Sequence, residues 1–167
     1  VQIGLVTESG ENEEGVVKLL IKAPAMLEVY IDAPQESAEV ISEGWFKTGD
    51  LATISRDGYV EIVGRVRERI LRGGYSVFPQ EIEAVLVSHS AVAEAAVVGI
   101  PDADLGEQVA AFVSLKTGAR TDAEELLAYC KEHLASYKYP RRVSILSELP
   151  KGPTGKIAKT ALQKIES

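Results

Sequence analysis

The sequence predicts an α+β fold, with a β-rich stretch over residues 1–67 followed by a mixed α/β sandwich over 68–167. Three observations predict it. β-branched runs and turn residues fill the first stretch without a helical period. The second stretch alternates apolar strands with amphipathic helices in the order β, helix, β, β, helix, β, helix, enough to fold as one sandwich. The charge balance also breaks between them: residues 1–67 carry 6 Lys+Arg against 12 Asp+Glu, and residues 68–167 carry 12 against 13.

In the first stretch, Val1–Val6 and Val16–Lys22 read as strands separated by the polar Glu8–Gly15, with Gly10 and Gly15 as turn residues. Pro24 and Pro34 interrupt the next segment, leaving room for a short strand or turn near Met26–Tyr30. Ser37–Ser42 reads as one helical turn. Thr48-Gly49-Asp50 is expected in a loop before a strand at Ala52–Ser55, and Arg56-Asp57-Gly58 turns the chain back through Tyr59–Val63.

Residues 64–83 lead from a strand end across a charged segment and the pair Gly73-Gly74 into a helix started by Pro79. Ile82, Val85 and Leu86 share one face of that helix, which runs to about Ser88. Ala91–Ile100 is a strand stopped by Pro101-Asp102, and Glu107–Lys116 is a second. Thr121-Asp122-Ala123-Glu124 has the pattern of a capping box, opening a helix with Leu126, Leu127, Cys130 and Leu134 on one face. Arg142–Leu146 is a short strand, Pro150–Gly155 a loop, and a last helix starts at Lys156 or Ile157 and reaches Ile165.

Composition excludes several classes. The chain has 167 residues, 46% of them hydrophobic and 26% charged, with a net charge of −7. That is globular, and it disfavours bulk nucleic-acid binding while leaving a local basic patch open. No apolar run approaches the roughly 18 residues needed to cross a bilayer. Val1–Gly10 lacks a signal peptide's basic start, and a first residue Val1 suggests a piece of a longer protein. Cys130 has no partner for an internal disulfide, which fits a reducing cytoplasm. With His89 and His133 it makes too scattered a set for zinc. Cys130 reads as core, and the two histidines sit at or near helix ends, where a cation is favoured.

Five places have the residue types for chemistry, each with a plain alternative. Asp50 in Thr48-Gly49-Asp50 suits a vicinal diol such as a ribose, or the amides of its own turn. Arg65 suits a phosphate or ribose oxygen, or an ion pair with Glu61. Gly73-Gly74 permits close approach of a ligand to the backbone, or is a bulge. Lys156 ends a loop rich in Pro and Gly, either as a reactive-site cation or as a solvated lysine; Ile157 rules out a complete P-loop pattern. The cluster Tyr137-Lys138-Tyr139-Pro140-Arg141-Arg142 suits a phosphorylated partner or is a solvated loop.

The order of these signals is more specific than any one of them. Trp45-Phe46-Lys47-Thr48-Gly49-Asp50-Leu51, Gly58-Tyr59, Gly64-Arg65, Gly73-Gly74 with Phe78-Pro79-Gln80-Glu81-Ile82-Glu83, Val97-Val98-Gly99-Ile100-Pro101-Asp102, Gly106-Glu107 and Pro153-Thr154-Gly155-Lys156-Ile157 follow one another. The series resembles the acyl-CoA synthetase branch of the AMP-forming, adenylate-forming enzymes, from about Gly15 to the C-terminus. The resemblance implies that residues 1–67 are the end of a large N-terminal adenylating domain, a remnant of its barrel-like β subdomain. Residues 68–167 would be the mobile C-terminal α+β domain.

The same resemblance implies ATP, Mg2+ and coenzyme A as cofactors, a carboxylic acid of the fatty class as substrate, and the protein's own N-terminal domain as partner. Asp50 would bind the ribose hydroxyls and Arg65 the ribose or phosphate region. Lys156 would be the adenylation lysine, and Glu68 the hinge. Gly73, Gly74 and Tyr75 would face the pantetheine tunnel during thioester formation. No protein metal ligand is implied. Glu68 stands where Asp or Lys is usual, Lys47 where Arg is commoner, and Tyr75-Ser76 where other pairs occur. The Ser/Thr/Gly-rich phosphate loop, the adenine-site motif and the acyl pocket of such enzymes are absent, so the chain alone is expected to be inactive. A carrier-protein-loading adenylation domain and a detached, non-catalytic interaction module are the alternatives.

Overall fold

The computed structural model describes residues 1–6 and 15–165. The expected polar connection at Glu8 and Gly10 lies outside them. The chain divides into two compact units, Val1–Arg67 and Glu68–Ser167. Among the described residues no helix is long and apolar enough to cross a membrane.

The first unit is a five-stranded antiparallel sheet. β1 (Gln2–Val6) pairs with β2 (Val17–Lys22), and β2 pairs with β4 (Trp45–Ile54). β3 (Ile41–Ser42) and β5 (Val60–Arg65) share the other side of β4. Helix α1 (Pro34–Val40) precedes β3. Pro34 therefore starts a helix rather than interrupting the chain, since its fixed φ suits a first turn. Residues 26–30 form no regular element. Among the described residues of this unit, Val16, Leu19, Leu51 and Ala52 are the buried apolar ones.

The second unit has its own five-stranded sheet, in the order β10-β9-β6-β7 with β8 also on β9. β6 (Ile70–Arg72) and β7 (Tyr75–Val77) form a hairpin where only a charged crossing was expected. Helix α2 (Pro79–Ser88) leads to β8 (Val92–Asp102), which pairs with β9 (Gly106–Leu115) along its length. α3 (Ala123–His133), β10 (Arg142–Leu146) and α4 (Lys159–Gln163) complete the unit, with β10 parallel to β9.

β8 and β9 bury both faces, and the period of two sorts their side chains. Ala95, Val97, Val109, Ala111 and Val113 join Ile82 and Leu86 of α2 and Leu126 and Cys130 of α3. Ala96, Val98, Ala110 and Phe112 join Leu149 and Leu162 of α4. Continuous apolar runs are the mark of strands covered on both sides.

Three expected boundaries move. β8 runs through Pro101 to Asp102, because Pro101 removes only one donor and lies beside its end, opposite Glu107. Asp102 Oδ1 then accepts from the amides of Asp104 at 3.0 Å and Leu105 at 2.9 Å, closing the turn to β9. Those two amides hold the Asp102 carboxyl below its ordinary pKa, Leu105 first. The cap of α3 is Asp122, which accepts from Glu125 N at 2.8 Å, while Thr121 Oγ1 donates to Glu125 Oε2 at 2.7 Å. The box is thus shifted by one residue from the expected Thr121–Glu124. The last helix begins at Lys159, because residues 151–157 form a loop closed by a bridge between Lys151 and Ile157.

Candidate functional site

In the first unit, β4 and β5 bring together two of the expected residues. Asp50 and Arg65 are direct partners in the β4–β5 ladder, and Arg65 Nε donates to Asp50 Oδ1 at 2.7 Å. The Asp50 side chain is 16% exposed and that of Arg65 is 51% exposed. The pairing replaces the alternative partner Glu61, which faces Thr53 in the ladder.

The expected loop at Thr48-Gly49-Asp50 is part of β4. Its irregularity is a bulge: Lys18 faces Leu51 but Leu20 faces Lys47, so three residues of β4 oppose Leu19 of β2. Gly49 takes a φ of +74°, a conformation open to glycine at no steric cost. Thr48 Oγ1 pins the bulge, donating to Leu19 O and accepting from Asp50 N, both at 3.0 Å. Just past the bulge, Asp50 faces Arg65 on the neighbouring strand.

In the second unit, Gly73 and Gly74 are the two-residue turn of the β6–β7 hairpin, with φ of +56° and +87°. Two successive positive values make the mirror-image turn that matches strand twist. Gly73 N donates to Leu105 O at 2.8 Å, and a Cβ on Gly73 would meet Leu105 Cδ2 at 3.1 Å. Around Gly74 a Cβ would meet nothing within 4 Å. Tyr75, half exposed, stacks on Tyr137 with ring centroids 4.7 Å apart. The buried Arg72 donates from Nη1 to Tyr137 O at 2.7 Å. Burial first, and then neighbouring Arg141, lowers the pKa of the Arg72 guanidinium. These contacts tie the hairpin to the loop before β10, so part of the basic, aromatic cluster Tyr137–Arg142 supports it. Within that cluster, Lys138 pairs with Glu81 at 3.1 Å and the Arg141 guanidinium lies 4.7 Å over the Tyr139 ring.

Lys156 lies exposed in the closing loop, where its carbonyl accepts from Gly152 N at 2.8 Å. Its ammonium has no hydrogen bond or ion pair among the described residues. The flanking lysines are both engaged: Lys151 pairs with Glu94 at 2.9 Å, and Lys159 with Glu68 at 2.5 Å and Glu83 at 2.9 Å. Lys156 shares no such contact with Gly73, Gly74 or Tyr75. Glu68 is therefore bound within the second unit, through a lysine that composition did not single out. A cation on the first residue of a helix is unfavourably placed, but with the helix expected to start at Lys156 or Ile157 that oddity was hidden.

Among the described residues no group of three or more His, Cys, Asp or Glu side chains is placed to hold a metal ion. Cys130 is fully buried as a free thiol.

Residues 81–156 match the AMP-binding enzyme C-terminal domain family. A long-chain-fatty-acid–CoA ligase of Bacillus subtilis is 39% identical over 150 residues, covering 90% of this chain and 27% of that protein. The chain thus spans about a quarter of that relative's length. Among solved structures, the amide bond synthetase of Marinactinospora thermotolerans matches with a TM-score of 0.90 and 33% identity, over 99% of this chain and 35% of that one. The o-succinylbenzoate CoA synthetase of Bacillus subtilis, in complex with an acyl-adenylate intermediate, matches with a TM-score of 0.87 and 33% identity, over 97% and 33%. The domain match thus lies within the second unit, and the chain is similar over most of its length to the C-terminal parts of adenylate-forming enzymes.

Proposed function

We propose that this chain is the C-terminal part of an acyl-CoA synthetase, which activates a carboxylic acid with ATP as an acyl-adenylate and passes the acyl group to coenzyme A. Residues 1–67 then end the adenylating domain and residues 68–167 are its mobile partner, with Glu68 as the hinge. The observation that carries the reading is the Arg65–Asp50 pair, a carboxylate and a guanidinium 2.7 Å apart on adjacent strands.

The residues present fit the nucleotide. Asp50 Oδ1 is occupied by Arg65, while Oδ2 remains to accept from a ribose hydroxyl. Arg65 uses Nε for this contact, which leaves its terminal nitrogens for a phosphate or ribose oxygen. ATP supplies the adenylyl group and coenzyme A the thiol. Lys156, whose cation is not neutralised by a neighbour among the described residues, offsets negative charge where the carboxylate meets the α-phosphate, a role of positioning and electrostatics. In the second half-reaction the turn Gly73-Gly74, with no Cβ at its tip, permits close passage of the pantetheine arm beside Tyr75. Exchange of these two elements at one site is the domain alternation that the hinge serves. Magnesium would be held by the nucleotide rather than by a protein cage. A cytoplasmic location accompanies this reading, with Cys130 kept as a thiol.

The long-chain-fatty-acid–CoA ligase at 39% identity favours a fatty acid as the substrate. The amide bond synthetase at a TM-score of 0.90 favours a competing reading in which an amine is the acceptor. The full-length enzyme tests both: an acid-dependent exchange of pyrophosphate into ATP, followed by product formation with CoA, a carrier protein or an amine offered separately. CoA thioester as the principal product is expected. Principal transfer to carrier protein or amine overturns the acceptor, and no exchange with any acid overturns the reading. The present chain alone is expected to show no exchange.

A further inference from the structure

Lys159 joins three parts of the second unit. Its ammonium reaches Glu68 Oε2 at 2.5 Å, at the start of the unit, and Glu83 Oε1 at 2.9 Å, on α2. Glu83 Oε1 also accepts from Val97 N at 2.8 Å, which fixes the carboxylate to β8. The side chains of Lys159, Glu68 and Glu83 are 24%, 40% and 19% exposed, so this is a partly covered network rather than a loose surface pair. Burial alone would lower the Lys159 pKa, but the carboxylates of Glu68 and Glu83 together raise it.

The position of Lys159 gives the network its consequence. It follows Lys156 by three residues, and the intervening backbone is held tightly. Ala158 N donates to Pro150 O at 2.7 Å, Gly152 N donates to Lys156 O at 2.8 Å, and Ile157 bridges to Lys151. Leu162, one turn further on, is fully buried against Phe112 and Leu149. The loop carrying Lys156 is thus fixed at its far end by an apolar anchor and an ion pair, and the ion pair ends on Glu68.

We infer that Lys159 is a positioning residue that couples the backbone at Glu68 to the placement of Lys156. A change of conformation at Glu68 that withdraws its carboxylate breaks a bond whose other end is three residues from Lys156. The glutamate is the right length for this contact: an aspartate at position 68 would pull the carboxylate back by about 1.5 Å, one carbon–carbon bond. The contacts stand on the geometry alone, while their effect on catalysis rests on the function proposed above.

The test has two arms, so that the two can fail separately. In the present chain, amide hydrogen exchange is followed at Gly152 and Ala158, with Val98 and Phe112 as references for the sheet. Lys159→Met is expected to speed exchange at Gly152 and Ala158 about tenfold with little change at the references, as local opening would. Glu68→Gln and Glu68→Asp are expected to do the same to a smaller degree, and Lys159→Arg to restore protection. Unchanged exchange in both Glu68 variants, or an equal rise at the references, overturns the coupling whatever the enzyme does. In the full-length enzyme, Lys159→Met and Glu68→Asp are expected to slow adenylation about tenfold more than transfer from a preformed adenylate, with recovery in Lys159→Arg. Faster exchange without that split leaves the network in place and counts against the catalytic reading.

Discussion

Arg65 and Asp50 meet across the β4–β5 ladder with Arg65 Nε 2.7 Å from Asp50 Oδ1, and the guanidinium remains half exposed. An exposed partner contributes little to folding, about 1 kcal/mol or less. Arg65→Ala is therefore expected to leave the chain's urea midpoint nearly unchanged while reducing ATP-dependent adenylation in the full enzyme by about tenfold or more, on the order of a lost charged contact. Arg65→Lys keeps the charge but not the planar fork, and is expected to recover only part of it. Equal activity in Arg65→Ala and the unaltered enzyme would sink the nucleotide role.

The Lys156 ammonium has no partner among the described residues, so its removal leaves no buried charge behind. Lys156→Ala is expected to leave folding unaltered and to slow adenylate formation by about 10²–10³, the size of a lost electrostatic contact to a transition state. Transfer from a preformed adenylate to CoA should be spared. Single-turnover assays of the two halves check it, and equal loss in both would remove Lys156 from the adenylation step.

The turn at Gly73-Gly74 separates strain from crowding. At Gly74, with φ of +87° and open space around the missing Cβ, alanine meets only backbone strain. Gly74→Ala is expected to destabilise the chain by about 1–2 kcal/mol. Gly73→Ala adds a contact with Leu105 Cδ2 at 3.1 Å and should cost more. Urea unfolding of both variants measures the order, and a larger loss at Gly74 contradicts it.

Burial pushes the Cys130 thiol from its ordinary 9.0 up to about 11. Between those values the unfolded chain has released the thiol proton and the folded chain has kept it. The unfolded state binds fewer protons, so stability falls as pH rises through that window, by up to about 1.4 kcal/mol per pH unit. Urea midpoints of the chain and of Cys130→Ala at about pH 8 and pH 10 isolate this effect. The variant should lose less stability than the parent, and an equal loss would show that the thiol does not titrate this way.

The fold class was legible because the two stretches differ in hydrophobic period, and α2 and β10 lie where periodicity and flanking residues put them. The β6–β7 hairpin was not. Arg67, Arg69 and Arg72 gave the segment a charged, loop-like composition, although Arg72 is buried and donates to Tyr137 O. The strand character of Thr48-Gly49-Asp50 was hidden for a related reason, since a glycine between two turn-forming residues also describes a bulge. Asp50 and Arg65 were visible as candidates, but their partnership depends on the register of β4 and β5. Lys159 was silent because its role depends on Glu68, 91 residues away along the chain.

The two faces of the β8–β9 ribbon have unequal cover. Among the described residues, fourteen buried side chains gather on the side of α2 and α3, and six on the side of α4. The smaller cluster is expected to give way first, with the C-terminal segment detaching while the rest of the unit stays folded. A protease present in small amounts would then clip near Lys156 or Lys164 and leave a shortened but still folded remainder. In such a molecule the half-life of the terminal segment, rather than the melting temperature of the domain, sets how long Lys156 stays attached.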